Sequence, residues 1–461
     1  MKLTALITNK SLWIFSLLIL GGSQVKAQEI LEDYVEHALE NNLVLQKKNI
    51  ELQQAEYALK IAKGMFYPSV DMHADYTSAE GGRDIYLPLG DMLNPVYNTL
   101  NALTSSNMFP QLENERVNFL PHNFYDAKIR ASVPIFNAEM IYNKRVKKQQ
   151  LYLTEEEQDI YKRDLIEKVK SAYYDYLQAH KASDIYSSTL ELAEEGKRVN
   201  ESLLENGKGL PAYVLRSESE VAEVEAKITE AEQNLDNAKR YFNFLLNRDQ
   251  DSAIEIPDSK KDLEGEVVKL LGETPAISER EELKTVDEVK KLQENLHKLE
   301  KSVFYPSLNG FVDVGSQAEN WSFDSQSQYY MVGLNLKVPI FSGNQNRNKI
   351  KSAELAVESA ELDKEIVAQQ LTLSSRASQN KLRAAYHNYL SAKKQLKAAK
   401  TYHRLIERGY KEGVNSYIET VDARSQLTQA QIALSINEFE MMTAKAKLER
   451  ETASYDLSDE N

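Results

Sequence analysis

Histidines, cysteines and convergent carboxylates are the side chains that most often do chemistry, and this chain uses them sparsely. It has no cysteine, which excludes a disulfide framework, a thiolate metal site, a cysteine nucleophile and a lipid anchor on an N-terminal cysteine. The seven histidines (His37, His73, His122, His180, His297, His387 and His403) are scattered, with no i,i+4 pair of the kind that holds zinc from one helix face. His73 shares a strand face with Asp71 and Asp75, a grouping that a wet strand face accounts for. No glycine-rich phosphate loop and no Gly-x-Ser-x-Gly elbow occur. These residues give no catalytic constellation, no metal site and no cofactor, so the expectation is a protein that is not an enzyme. Carboxylates are plentiful, but on solvated helices that is expected and carries little information.

The elements that position such residues are written twice. Phe66-Tyr67-Pro68-Ser69 returns as Phe304-Tyr305-Pro306-Ser307, each time between a helix-like run and an alternating one. A second corner follows each, first Val133-Pro134-Ile135-Phe136 and then Val338-Pro339-Ile340-Phe341. From Phe136 to Gly207 is 71 residues, and from Phe341 to Gly413 is 72. Helix, hairpin, long helix, tip and return helix thus form an internal two-fold repeat, and a repeat must be settled before any fold is assigned.

Residues 1–27 read as a secretory signal peptide: Lys2 and Lys10, an apolar Leu12–Leu20 run, and Val25-Lys26-Ala27 as a cleavage site. That run is short of the ~20 residues of a membrane-spanning helix. Removing the segment deletes three lysines and moves the formal charge from −14 to −17. So acidic a chain is a poor candidate for nucleic acid, whose phosphates need clustered Lys and Arg. Charged residues make up 27% and mean hydropathy is −0.52, so most of the chain faces water.

The first repeat covers residues 28–247, with a hairpin over 68–135, a long helix over 137–206 and a return helix over 212–247. A polar connector over 248–283 holds a strand-like Ala253–Ile256 and a helix around Leu263–Leu271. The second repeat covers 284–453, with a hairpin over 306–340, a long helix over 342–412 and a return helix over 417–453; residues 454–461 form a tail. At 1.5 Å per residue each long helix would run on the order of 100 Å. Leu382, Ala385, Tyr389, Ala392, Leu396 and Ala399 mark a 3-4 seam on the second. At the tips, Gly207, Gly209 and Pro211 match Gly413 and Ser416, with Pro211 suited to a first turn and Ser416 to an N-cap.

Within the hairpins the period is two. Val70, Met72, Ala74 and Tyr76 alternate with Asp71, His73, Asp75 and Thr77, and Tyr125 to Val133, Leu308 to Val314 and Tyr330 to Val338 alternate likewise. Such strands suit either a soluble sandwich edge or a membrane barrel with lipid outside and water inside. An insertion over 81–122, with Pro88, Pro95, Pro110 and Pro121, distinguishes the first hairpin and reads as a packed loop over one end of the sheet. Four strands cannot close a membrane barrel, because the smallest have about eight. An open edge in lipid leaves backbone groups unpaired. If the hairpins enter a membrane, the chain must therefore be an oligomer.

With its leader, two pairs of proline corners and two long helices ending at glycine tips, the sequence resembles the TolC family of outer membrane efflux proteins over essentially all of the mature chain. The resemblance implies an α+β membrane protein: a homotrimer giving four strands per subunit to a twelve-stranded outer membrane β-barrel, with long antiparallel coiled-coil helices forming a periplasmic α-barrel. It implies a Gram-negative outer membrane location in contact with lipid. The implied role is a passive exit duct for an efflux pump or type I secretion system, docked at the tips to a periplasmic adaptor and an inner-membrane transporter.

The family's run after the second tip is an acid, two mostly apolar residues, Asp and Ala. Here it is Glu419-Thr420-Val421-Asp422-Ala423, with Thr420 a departure. By that resemblance Glu419 and Asp422 form rings of three carboxylates that constrict the pore and favour cations. The first tip departs further, with Tyr213, Arg216 and Ser217 at the matching places. Arg216 is then a candidate entrance latch against Glu419 or Asp422 of a neighbouring tip. Phe66, Tyr67, Pro68, Pro134, Phe304, Tyr305, Pro306 and Pro339 are expected at helix-to-strand corners. The alternative reading is a periplasmic adaptor or a structural coiled coil of the envelope, neither of which needs two proline-bounded hairpins.

Overall fold

The structure, a computed structural model, describes residues 26–120, 122–257, 263–275, 277–455 and 457. The leader expected over 1–27 lies outside the described residues except for its last two, as does most of the 454–461 tail. Two helices, α1 (Lys26–Asn41) and α2 (Leu43–Gly64), precede strand β1 (Ser69–Thr77). Between them Asn42 Oδ1 accepts from the amides of Val44 and Leu45 (3.0 and 3.2 Å), capping α2, while its Nδ2 donates to the Leu245 carbonyl.

The insertion follows as β2 (Asp84–Leu87), α3 (Leu89–Thr104) and β3 (Glu115–Asn118); β4 (Phe124–Phe136) then returns. Next come α4 (Ala138–Glu205), α5 (Pro211–Leu245), α6 (Leu263–Gly272) and α7 (Glu281–Ser302). The second half closes with β5 (Ser307–Glu319), β6 (Gln328–Lys337), α8 (Gln345–Lys411) and α9 (Tyr417–Glu451). With 68 and 67 residues, α4 and α8 are each on the order of 100 Å long.

The strands form a four-stranded antiparallel sheet ordered β1-β4-β5-β6, and β2 pairs with β3 separately. Three expectations are corrected here. Pro134 is not at a corner but inside β4, which runs on to Phe136 with an irregularity between Pro134 and Phe136. Pairing with β1 stops at Ser132, so β4 has only β5 beside it where Pro134 sits, and a proline is tolerated where a strand becomes an edge. Pro339 by contrast lies between β6 and α8, outside any strand. The insertion over 81–122 is not a loop but carries its own helix and strand pair. Ala253–Ile256 is not a strand: Ile254 enters the helical core, and tyrosines serve the adjoining backbone, Tyr34 Oη accepting from the Glu255 amide and Tyr173 Oη donating to its carbonyl (both 2.9 Å).

The chain divides into two compact units. One holds the sheet and the insertion (57–148 and 292–357), the other the described residues before 57 together with 149–291 and the chain from 358 on. The helical unit has two cores. In the first, Val35, Ala38, Leu165, Val169, Tyr173, Phe242 and Leu246 join α1, α4 and α5. In the second, Val267 of α6 wedges against Leu382 and Ala385 of α8 and Met441, Ala444 and Leu448 of α9, so the expected Leu382–Ala399 seam begins at a buried face.

A buried cation ties this unit together. Arg280, almost wholly buried, donates to Glu451 Oε2 (2.7 Å) and the Glu451 carbonyl (2.9 Å) and makes two bonds to Glu282 (2.6 and 2.8 Å). Arg450 bridges Glu282 to Asp164 of α4 (2.8 Å each), and Arg163 of α4 pairs with Glu281 (2.6 Å). Burial works to raise the Glu282 carboxyl, but the bonds from Arg280 and from its own backbone amide outweigh it and hold it below the usual range. Removing one member of such a buried group strands its partners. Arg280→Ala is expected to cost about 3–5 kcal/mol, read by denaturant unfolding of the detergent-solubilised protein; unchanged stability would refute the tie.

Candidate functional site

The sheet sorts its side chains into rows. On one face Val70, Ala131, Val312 and Val332 lie side by side, and the next row is Met72, Ile129, Val314 and Tyr330. Most of these are exposed, Met72 at 75% and Tyr330 at 80%, with nothing among the described residues covering them. On the other face the rows are Asp71, Arg130, Asp313 and Met331, then His73, Lys128, Gly315 and Tyr329. Two charged couples stand on this face: Arg130 grips the buried Asp313 with two bonds (2.7 and 2.6 Å), and Asp126 accepts from Lys128 (2.6 Å) and Tyr329 (2.8 Å), whereas Asp71 and Asp75 of β1 have no ion-pair partner among the described residues.

Aromatic side chains bound the apolar face at both ends. At one end Trp321 stacks on Tyr76 and Tyr125 (5.4 and 5.6 Å between ring centres), with Phe323 packed on Tyr125. At the other, Phe66, Tyr67, Phe304, Tyr305 and Phe341 are exposed beside Pro68, Pro306 and Pro339. Between them β1 has nine residues, within the ~9–11 of a membrane strand tilted by about 45°. No helix among the described residues is long and apolar enough to cross a membrane. Among the same residues no His, Cys, Asp and Glu group is placed to hold a metal ion.

At the tips the repeat extends to individual hydrogen bonds. The Leu203 carbonyl accepts from the amides of Lys208 and Gly209 (2.8 Å each), and the Gly409 carbonyl from those of Val414 and Asn415 (2.7 and 3.2 Å). Gly207 and Gly413 occupy the left-handed region that each turn requires (φ 69° and 77°). Pro211 opens α5 at its first position. Ser416 opens α9 with a reciprocal capping box: its Oγ accepts from the Glu419 amide, and Glu419 Oε2 accepts from the Ser416 amide at 2.6 Å. Bonds donated to its Oε2 by the Ser416 amide, by Asn415 and by the Ser416 hydroxyl hold the exposed Glu419 carboxyl below its ordinary value. Asp422 is exposed and accepts from Gln426 (2.8 Å). Among the described residues of one chain, the structure does not bring the exposed Arg216 to either acid.

The ion pair that the tips do contain is a different one. Arg424 Nε lies 3.1 Å from Glu220 Oε1, and Tyr417 Oη donates to Glu220 Oε2 at 3.3 Å. All three are buried, and Arg424 also donates to the Leu192 carbonyl of α4. Burial pushes the Glu220 carboxyl up, opposed by Arg424 and Tyr417, and pushes the Tyr417 phenol up to about 12. The signal was in the spacing. Ser217, Glu220 and Val224 line a buried seam of α5, and Tyr417, Val421, Arg424 and Thr428 line one of α9, so each charge occupies a seam position.

A family model described as outer membrane efflux protein matches residues 34–248 and 288–454. Over 132 residues, 28% of this chain, the sequence is 25% identical to outer membrane protein TolC of Vibrio cholerae; that stretch spans 30% of TolC's own length. It is 22% identical over 344 residues to the alkaline protease secretion protein AprF of Pseudomonas aeruginosa, covering 71% of this chain and 69% of AprF. Among solved structures, the Campylobacter jejuni CmeC outer membrane channel matches with TM-score 0.73 and 16% identity over 94% of this chain and 88% of CmeC. The Vibrio cholerae outer membrane protein VceC matches with TM-score 0.72 and 16% identity over 92% and 95%. At these identities the structural likeness speaks for the fold.

The capping box gives a signed pH dependence. Because the folded Glu419 is more acidic than its ordinary value of 4.5, its contribution is present above that value and is lost as pH falls through the folded value. Hydrogen-exchange protection at the amides of Ser416, Glu419 and Thr420, taken relative to the intrinsic rate at each pH, should fall on acidification in the native chain but not in Glu419→Gln. Ser416→Ala should lower it at every pH, by about five-fold for a cap worth ~1 kcal/mol.

Proposed function

The chain belongs to the outer membrane efflux protein family, and on that premise we propose that it is the outer membrane channel component of an efflux pump or a type I secretion system. It lies in the outer membrane of a Gram-negative cell and passes substrates without an energy source and without catalysis.

One observation carries the reading: a sheet with an apolar face, a wet face and two open edges. Its four strands alternate in direction, so β1 and β6 run opposite ways and a copy can add edge to edge in the same antiparallel sense. Each open edge in lipid would leave a row of amides and carbonyls unpaired, at several kcal/mol per group, which drives closure. Two copies would give eight strands, a barrel whose interior side chains fill. A lumen needs more, and the family's trimer gives twelve.

The tips meet a periplasmic adaptor coupled to an inner-membrane transporter, through turns that expose Leu210, Pro211 and Val414 beside Gly207, Gly209, Gly413 and Ser416. Glu419 and Asp422 both remain exposed, as a carboxylate ring around the entrance requires, though the capping box fixes the Glu419 rotamer. Arg216 is free to latch only onto the tip of another subunit.

Three measurements test this. Fractionation should recover the chain in the outer membrane as a heat-modifiable trimer, and a soluble periplasmic protein would end the reading. In planar bilayers the channel should prefer cations, and Asp422→Asn with Glu419→Gln should abolish that preference if the rings set it. Arg216→Ala should raise open probability; an unchanged record refutes the latch.

A further inference from the structure

The insertion between β1 and β4 presents a helix with two unlike faces. Asn94, Asn98 and Asn101 lie at i, i+4 and i+7 on one side of α3 and hold the extended segment 106–114 against it. Asn94 exchanges two bonds with the Leu112 backbone (2.9 and 2.8 Å), Asn101 two with that of Phe109 (2.7 and 3.1 Å), and Asn98 accepts from Gln111 (2.7 Å). The segment lies so close that a Cβ on Gly90 would sit 2.3 Å from the Leu112 carbonyl. Tyr97 packs on Phe109. This side of the helix is occupied.

About half a turn around, the other side is bare. Leu89, Met92, Val96, Thr99 and Leu103 follow the 3-4-3-4 spacing of a coiled-coil seam. Met92, Val96 and Leu103 are exposed at 67%, 52% and 78%. Thr99 turns its hydroxyl back to the Pro95 carbonyl (2.9 Å) and so presents its methyl outward. Pro95 lies inside the helix on its flank, where its missing amide removes one backbone bond without entering the stripe.

We infer that this stripe is an interface between copies of the chain, α3 packing against its counterparts along Leu89, Met92, Val96, Thr99 and Leu103. The inference rests on the trimeric channel reading above. Two observations choose this occupant over lipid or a foreign protein. An interfacial membrane helix carries Lys and Arg on its polar face, whereas α3 has no basic residue and one charge, Asp91, in 16 residues. Helices this poorly charged can approach their own copies without repulsion. The helix is also tethered to β1, the edge strand through which copies must join, at the strand end away from the Pro68 corner. The barrel would thus hold the helices at a high effective concentration, so a seam of a few turns suffices.

The chain has no native cysteine, so single cysteines report proximity cleanly. Full-length Val96→Cys, Leu103→Cys and, on the opposite face, Asn98→Cys are oxidised mildly in isolated outer membranes, and the unheated trimer band is scored in the same samples. The expected result is a reducible cross-linked dimer for Val96→Cys and Leu103→Cys and its loss for Asn98→Cys. A trimer band without cross-linking at Val96 or Leu103 overturns the seam and leaves the channel standing. Equal cross-linking at all three positions also overturns it, since a mobile insertion would collide on every face. Absence of the trimer itself refutes both the seam and the channel.

Discussion

An open β-sheet edge has nowhere to put its hydrogen bonds in hydrocarbon, and that constraint organises this molecule. The apolar rows of Val70, Met72, Ile129, Val312, Val314 and Val332 make water an unsuitable neighbour for one face of the sheet. The unpaired edges of β1 and β6 make lipid unsuitable for a single chain. Only a closed ring of copies satisfies both. The alternating strand directions make closure possible, and the aromatic groups around Trp321 and Phe341 mark how deep the apolar band runs.

Within the helical unit, charge holds together what the repeat made separately. Arg280 binds the start of α7 to the end of α9, Arg450 and Arg163 carry that tie to α4, and Arg424 with Glu220 joins α9 to α5. Buried pairs of this kind are poor sources of net stability, because desolvation consumes much of the attraction. Breaking one is costly all the same. Such pairs therefore select one arrangement of similar helices over other arrangements that apolar seams alone would tolerate.

Much of this was legible from residue order. The proline corners, the two-residue alternation and the glycine tips each follow from local rules, and the tips match to the hydrogen bond because the same turn chemistry recurs. What escaped has physical reasons too. Pro134 reads as a breaker, yet stands in β4 because β1 ends two residues earlier in the pairing, a fact of register rather than of sequence. The helix Leu89–Thr104 was hidden by Pro95 and by asparagines that usually mark loops, since their side chains serve the neighbouring segment instead of their own backbone. Ile254 looked like part of a strand because a strand and an extended segment under two tyrosines have the same pattern. Glu220 and Arg424 do not stand out in the sequence, because a seam position is visible only when both helices are laid out together.

The wet face of the sheet has one more property. Four of its charges come as closed couples, Arg130 with Asp313 and Lys128 with Asp126, and each couple leaves a local dipole and little net potential. A wall of dipoles neither repels nor retains a passing solute for its sign, whereas a wall of lone carboxylates would collect counter-ions. The paired middle of the sheet is therefore electrically permissive, while Asp71 and Asp75, with no ion-pair partner among the described residues, leave the edge strand β1 net negative on its wet face.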